Sequence, residues 1–214
     1  MRYYKLTDKI NKDEIIRRND DHFAYRYYFG AEKWVKTGIM IKYQWPEDEL
    51  FGDYTEVSES EANLLINIQR EKLNKLYILA QRVAHEAHEG QLDKGGNPYI
   101  NHPVEVANSL ESTEHKIVAL LHDILEDTDI TIDDLKKYGF TDRNIKSVRI
   151  LTTVSYISYE EYFSHVKTDC NAWMVKRADL KHNMHISRIP DPTEKDLQRI
   201  EKYKKALVFL EDCL

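Results

Sequence analysis

The sequence of 214 residues is poor in cysteine, glycine and proline, with only 2, 7 and 5 of each. Cys170 and Cys213 form no CxxC pair and no disulfide framework, so we expect a reducing compartment, the cytoplasm. The glycines form neither a GxGxxG run nor a P-loop, which excludes the glycine-loop nucleotide folds. No apolar run approaches the ~20 residues of a membrane span, and no apolar segment follows Met1 as in a signal peptide.

Basic residues are fewer than acidic ones: the sequence has 31 Lys and Arg but 37 Asp and Glu, which gives a net charge of −6. An acidic chain is a poor candidate for non-specific binding to DNA or to a membrane surface. We therefore expect neither a nucleic-acid nor a membrane partner. The 42% of hydrophobic residues, among them 14 Tyr, excludes disorder as the main state.

The chain changes character near residue 58. Residues 1–58 are rich in aromatic and β-branched side chains, and the run WVKTGIMIKYQW (34–45) partly alternates before it stops at Pro46. Such patterns predict strands, so we expect a small β-rich N-terminal region whose role is unknown. Two interpretations stay open: a structured extension that packs on the main domain, or a separate ligand-binding module.

Residues 59–214 have the apolar spacing of 3 and 4 that is typical of helices. A helix of close to thirty residues should end at Gly90, and a single helix is predicted over 114–126. Ser158-x-x-Glu161 has the pattern of a capping box. Further helices are predicted over 142–153, 158–168, 171–187 and 194–212. The expected fold class is therefore mainly α.

Three segments carry unusual chemistry: PYINHP, LHDILEDT and KRADLKHNM. In the second, His122 and Asp123 lie among apolar residues, where an unpaired charge costs several kcal/mol. On a helix, Glu126 would share a face with His122, and Asp127 with Asp123. So many carboxylates beside one histidine repel each other unless a cation is present.

A divalent metal ion would supply that cation. Two imidazoles and two carboxylates form a mixed N/O donor set that suits Mn²⁺, Fe²⁺ or Zn²⁺. A single buried histidine is usually an ordinary core residue, but the three segments together point to a metal site. The candidate ligands are His102, His122, Asp123 and Asp179.

The runs AHEGQLDKGGNPYINHP, ALLHDILEDT and VKRADLKHNM resemble the RelA/SpoT-type hydrolase branch of the HD superfamily over about residues 70–212. The resemblance implies an HD-domain helical bundle that binds Mn²⁺ and removes pyrophosphate from the 3′ position of the small-molecule nucleotide (p)ppGpp. Because no nucleotidyltransferase domain fits before Leu214, it also implies the short, hydrolase-only form. A homo-oligomer is compatible with the sequence.

The resemblance also assigns roles to individual residues. His102, His122, Asp123 and Asp179 match the metal ligands of the family. Glu126 and Asp127 match its catalytic carboxylate pair. The implied substrate-binding residues are Lys94, Lys176 and Asn183.

Three positions depart from the family pattern. Asp93 and Leu180 each replace an arginine, and Ile186 replaces a hydroxyl residue that helps to hold guanine. We therefore expect either relaxed base selection with (p)ppGpp still accepted, or an HD phosphohydrolase that acts on a different nucleotide. A non-catalytic, metal-stabilised regulatory module is a third hypothesis, but such a protein does not need a water-activating carboxylate beside the metal.

Overall fold

The computed structural model describes residues 1–9, 11–20, 23–29, 32–152, 158–189 and 191–211; Cys213 lies outside them. Its contacts divide the chain into two compact units, Met1–Asn74 and Lys75–Leu214. The boundary expected between residues 58 and 59 is where the secondary structure changes from strand to helix. Independent domains with that boundary stay a prediction.

The first unit contains the expected β structure. Five strands form an antiparallel sheet in the order β4-β3-β2-β1-β5. Because successive strand residues point to opposite faces, Tyr3 and Tyr4 of β1 belong to different core clusters. The strands are β1 (Arg2–Leu6), β2 (Ile15–Arg18), β3 (Ala24–Tyr28), β4 (Lys33–Thr37) and β5 (Tyr54–Val57).

The strand predicted over 34–45 is wrong in its second half. Strand β4 ends at Thr37, and a short helix, α1 (Met40–Gln44), follows. Met40 and Tyr43 lie three positions apart and are both buried, which is a helical spacing. Because the run is short and alternates only in part, its pattern could not separate strand from helix.

The remaining helices match the predicted mainly α class. Helix α2 (Glu59–Ala87) is followed by Gly90 with a positive φ of 76°. The capping box predicted at Ser158 is confirmed. The Ser158 hydroxyl accepts from the backbone N–H of Glu161, and the Glu161 carboxylate accepts from the backbone N–H of Ser158. The others are α3 (Asn101–Asn108), α4 (Thr113–Leu121), α5 (Ile124–Asp127), α6 (Ile132–Tyr138), α7 (Asp142–Leu151), α8 (Tyr159–Lys167), α9 (Cys170–Asn183) and α10 (Glu194–Glu211).

Two of the predicted helices end at residues 153 and 212, which lie outside the described part of the chain. Among the described residues, no helix combines the length and the apolarity that a bilayer crossing requires.

Helix α4 buries a histidine that we expect to make stability depend on pH. His115 is 4% exposed, and its pKa falls to about 4 because burial, and then the charge of Arg143, disfavour its protonated form. A histidine in the unfolded chain has a pKa near 6.5. Between pH 6.5 and 4, His115 is therefore protonated in the unfolded chain and neutral in the folded chain. The free energy of unfolding should therefore fall over this window by about 3 kcal/mol because of this residue.

Chemical denaturation at pH 7 and pH 4.5 tests this expectation. In His115→Gln the loss of stability between these two pH values should be smaller by about 2 kcal/mol or more. The control is His165→Gln, because His165 is exposed on α8 and should leave the pH dependence unchanged. Equal pH dependence in wild type and His115→Gln would contradict the expectation.

Candidate metal centre and catalytic cleft

The four predicted metal ligands come from three places in the helical unit. His102 lies in the first turn of α3, and Asp179 lies on α9. His122 and Asp123 lie between α4 and α5, because the single helix predicted over 114–126 is broken there. Glu126 and Asp127 both lie on the short helix α5. Their backbone N–H groups bond to the carbonyl oxygen of Asp123 at 3.0 and 2.9 Å, so the one-turn spacing expected for Asp123 and Asp127 is kept.

The structure brings the four side chains together. Nε2 of His102 lies 3.3 Å from Nε2 of His122 and 3.2 Å from Oδ1 of Asp179. Oδ2 of Asp123 lies 3.0 Å from Nε2 of His122 and 3.5 Å from Nε2 of His102. One donor atom from each of His102, His122 and Asp179 lies within 4.8 Å of the other two, so the cluster can hold a metal ion.

The electrostatics of the cluster favour a bound cation. Burial lowers the pKa of His122, but the carboxylates of Asp123 and Asp179 outweigh burial and raise that pKa to about 10. The pKa of Asp179 is held well below its usual range, since its burial is outweighed by the ammonium group of Lys176. A buried site that attracts a proton this strongly offers the same negative charge to a divalent ion.

Hydrogen bonds hold the ligands from behind, as is common at metal sites. Nδ1 of His122 lies 2.7 Å from the carbonyl oxygen of Ala119, which can only accept, so in the neutral ring Nε2 carries the lone pair. Lys176 Nζ lies 2.9 Å from Oδ2 of Asp179, and the amide of Asn183 donates to its Oδ1 at 2.5 Å. Lys176 and Asn183 thus contact a candidate ligand, and their contact with substrate stays a prediction.

Tyr99 is a site residue that the sequence reasoning missed. Its hydroxyl donates to Oδ2 of Asp123 at 2.6 Å, and burial together with the charge of that carboxylate raises its pKa. The only signal in the sequence is its position in the PYINHP segment, three residues before His102. A contact of this kind depends on the tertiary fold and has no spacing rule.

A cavity of about 390 Å³ opens beside the cluster. It is lined by Glu126 and Asp127, both exposed on α5, and by the predicted substrate-binding residues Lys94, Lys176 and Asn183. Lys94 Nζ lies 3.5 Å from Oδ1 of Asp196. The candidate catalytic pair, three of the four candidate metal ligands and the two lysines therefore line one cleft. Its lining from α10, which sequence reasoning did not assign to the site, consists of Asp196, Arg199, Ile200 and Tyr203.

Asp93 lines the cleft and also stabilises the loop around Lys94. Its Oδ1 accepts the backbone N–H groups of Gly95 and Asn97, both at 2.9 Å, which closes the turn that carries Lys94. The arginine expected here from the family pattern could not accept these bonds. Leu180, the second departure, is 2% exposed and belongs to the core.

No family model matches the chain. It is 32% identical over 116 residues to a guanosine-3′,5′-bis(diphosphate) 3′-pyrophosphohydrolase of Haemophilus influenzae, a match covering 48% of this chain and 17% of that protein. The bifunctional (p)ppGpp synthase/hydrolase SpoT of Escherichia coli is 31% identical over 130 residues, or 54% and 18% of the two chains. The resemblance to RelA/SpoT-type hydrolases is confirmed. The chain spans less than a fifth of the length of these relatives.

A guanosine-3′,5′-bis(diphosphate) 3′-pyrophosphohydrolase of Aquifex aeolicus is 42% identical over 85 residues, which cover 38% of this chain and 12% of that one. Among solved structures, one described as a metazoan ortholog of SpoT that hydrolyzes ppGpp has a TM-score of 0.53 at 23% identity. That match covers 64% of this chain and 86% of the other. At this identity the structural likeness is one of fold.

Proposed function

We propose that the chain is a divalent-metal-dependent hydrolase that removes the 3′-pyrophosphate of (p)ppGpp or of a related nucleotide. One observation carries the proposal: the Nε2 atoms of His102 and His122 face each other at 3.3 Å, beside the carboxylate of Asp179. Nitrogen lone pairs and buried carboxylates converge in this way around a cation. The names of the related proteins supply the substrate class.

The donor set fits a first-row divalent ion. In an HD-type bundle His102, His122, Asp123 and Asp179 would hold it, with two nitrogen and two carboxylate donors that suit Mn²⁺, and also Fe²⁺ or Zn²⁺. When bound, such an ion lowers the pKa of a coordinated water toward neutrality. The proposed place of action is the cytoplasm, and a homo-oligomer stays compatible with the sequence.

The other residues of the cleft would transfer protons and bind the substrate. Glu126, with Asp127 beside it, positions the attacking water and accepts a proton from it. The water oxygen bonds to the phosphorus next to the 3′ oxygen, and the bond between this phosphorus and the 3′ oxygen breaks. Pyrophosphate leaves, and the 3′ oxygen takes up a proton. Lys94, Lys176 and Asn183 contact the phosphoryl oxygens and balance their charge.

A different nucleotide is the second candidate substrate, and the loop around Asp93 favours it. Because Asp93 closes its own turn and Leu180 is buried, neither position offers the arginine of the resembling family. The lost contacts can cost ~1–3 kcal/mol of base discrimination each. The third hypothesis, a regulatory module, is disfavoured by the exposed carboxylates of Glu126 and Asp127 in the cleft.

Steady-state kinetics on the 3′-pyrophosphates of guanosine and adenosine nucleotides tests the proposal. With Mn²⁺ we expect pyrophosphate release that EDTA abolishes and added Mn²⁺ restores, with a preference for guanosine below ~10³-fold. A stronger preference would contradict relaxed base selection. Release of monophosphate, or hydrolysis of neither compound, would favour the different-nucleotide hydrolase. Absence of chelator-sensitive hydrolysis across a panel of nucleotides would favour the regulatory module.

A further inference from the structure

In the two histidines of the candidate metal centre, the Nδ1 atoms, which lie away from the metal position, contact different kinds of group. Nδ1 of His122 contacts a main-chain carbonyl, that of Ala119. Nδ1 of His102 instead lies 2.7 Å from Nδ1 of His182, and the two ring centroids are 4.8 Å apart. A side chain that the sequence reasoning did not assign to the site therefore holds the second histidine.

The chemistry of imidazole determines the direction of this contact. A neutral ring has one N–H and one lone pair, so in a short contact between two ring nitrogens one donates and the other accepts. Nε2 of His102 faces His122 and Asp179 and needs its lone pair to bind a metal ion. Nδ1 of His102 must then carry the hydrogen, and Nδ1 of His182 must accept it.

We propose that His182 is a positioning residue: by accepting the Nδ1 hydrogen of His102, it fixes the tautomer and ring orientation that direct Nε2 of His102 at the metal ion. This inference rests on the metal centre proposed above. Groups of this kind behind a metal-bound histidine typically contribute 10–100-fold to metal affinity or activity.

The position of His182 on α9 supports this role. It lies three residues after Asp179, a spacing that places both side chains on one side of a helix. Helix α9 therefore supplies one ligand and also the support for a ligand that comes from α3. His185 follows one turn later, but it is exposed, and its ring centroid lies 6.1 Å from that of His182.

The inference predicts different metal affinities for two replacements of His182 that are similar in size. His182→Asn keeps an oxygen acceptor near the position of Nδ1, whereas His182→Leu keeps bulk and loses the acceptor. Isothermal titration of the full chain with Mn²⁺ alone should show ~10–100-fold weaker binding for the Leu variant and an affinity within ~3-fold of wild type for the Asn variant. His165→Leu, at an exposed position on α8, is the matched control and should bind as wild type.

The same variants should differ in turnover. Assayed at saturating Mn²⁺, His182→Leu should lower kcat more than it changes KM, because the support acts on the metal centre and not on substrate contacts. Circular dichroism and thermal unfolding identify a variant that fails to fold. For that case, imidazole ¹⁵N NMR of the wild-type chain loaded with diamagnetic Zn²⁺ should show the hydrogen of His102 on Nδ1.

Each outcome separates this inference from the function on which it rests. If wild type binds no divalent ion, the metal centre and the role of His182 are both wrong. If wild type binds Mn²⁺ but His182→Leu binds it equally well, only the role of His182 is wrong. The same conclusion follows if the Asn variant loses as much affinity as the Leu variant, or if NMR places the hydrogen of His102 on Nε2.

Discussion

Replacing Glu126 by Gln is expected to lower kcat by ~10²-fold or more while Mn²⁺ affinity stays at the wild-type level. Glu126 lines the same cavity as Asp123 and Asp179, but it lies outside the cluster formed by His102, His122 and Asp179. An amide has nearly the same shape as the carboxylate, but it cannot accept a proton from water. Stopped assays with saturating nucleotide, together with titration of Mn²⁺, measure both quantities.

The matched control is Glu160→Gln, because Glu160 is exposed on α8 and does not line the cleft. It should leave kcat unchanged. Wild-type turnover in Glu126→Gln would show that the assigned proton acceptor is wrong. Loss of Mn²⁺ binding would instead make Glu126 a metal ligand, with a different residue as the acceptor.

Replacing Asp179 by Asn is expected to weaken Mn²⁺ binding by at least ~10²-fold and to reduce kcat/KM by at least the same factor. Asp179 is almost fully buried, faces both histidines and accepts from Lys176 and Asn183. An amide removes the negative charge that attracts the ion. It also leaves the ammonium group of Lys176, whose side chain is only 18% exposed, without its partner carboxylate, and we expect this to lower stability.

Thermal unfolding with and without Mn²⁺ provides a second measure. Wild type should gain stability on addition of Mn²⁺, since an ion that binds only the folded chain shifts the unfolding equilibrium. The Asn variant should gain almost none. Asp133→Asn is the control, because the Asp133 side chain is 79% exposed, and it should respond as wild type does. A full response in Asp179→Asn would show that Asp179 is not a ligand.

The sequence predicted which side chains meet at the site better than it predicted the backbone that carries them. His102, His122, Asp123 and Asp179 were predicted as one cluster, because buried charges need partners and few arrangements provide them. The break between α4 and α5 was not predicted. Apolar residues flank His122 and Asp123 on both sides within Ile117–Leu125, and this segment has no glycine or proline. Neither of the usual helix-ending residues therefore marks the point where α4 ends.

The supports of the ligands show the same limit. Tyr99 and His182 lie 24 and 80 positions from the side chains that they contact, and no spacing rule reaches over such distances. In the N-terminal region the kind of structure was predicted, but α1 was not. There the partial alternation of residues 34–45 did not show that Met40 and Tyr43 belong to a helix, and only packing against the sheet decides between helix and strand.

The long helix α2 has a practical consequence for anyone who shortens this chain. Its first part, up to Asn74, belongs to the compact unit of the sheet, where Ala62 and Ile66 pack against Tyr3 and Ile15. A fragment that begins at residue 59 would keep this apolar stripe and lose the strands that cover it. Such an exposed stripe invites aggregation. A fragment that begins at residue 75 leaves the stripe out, and it is the better starting point for handling the helical unit alone.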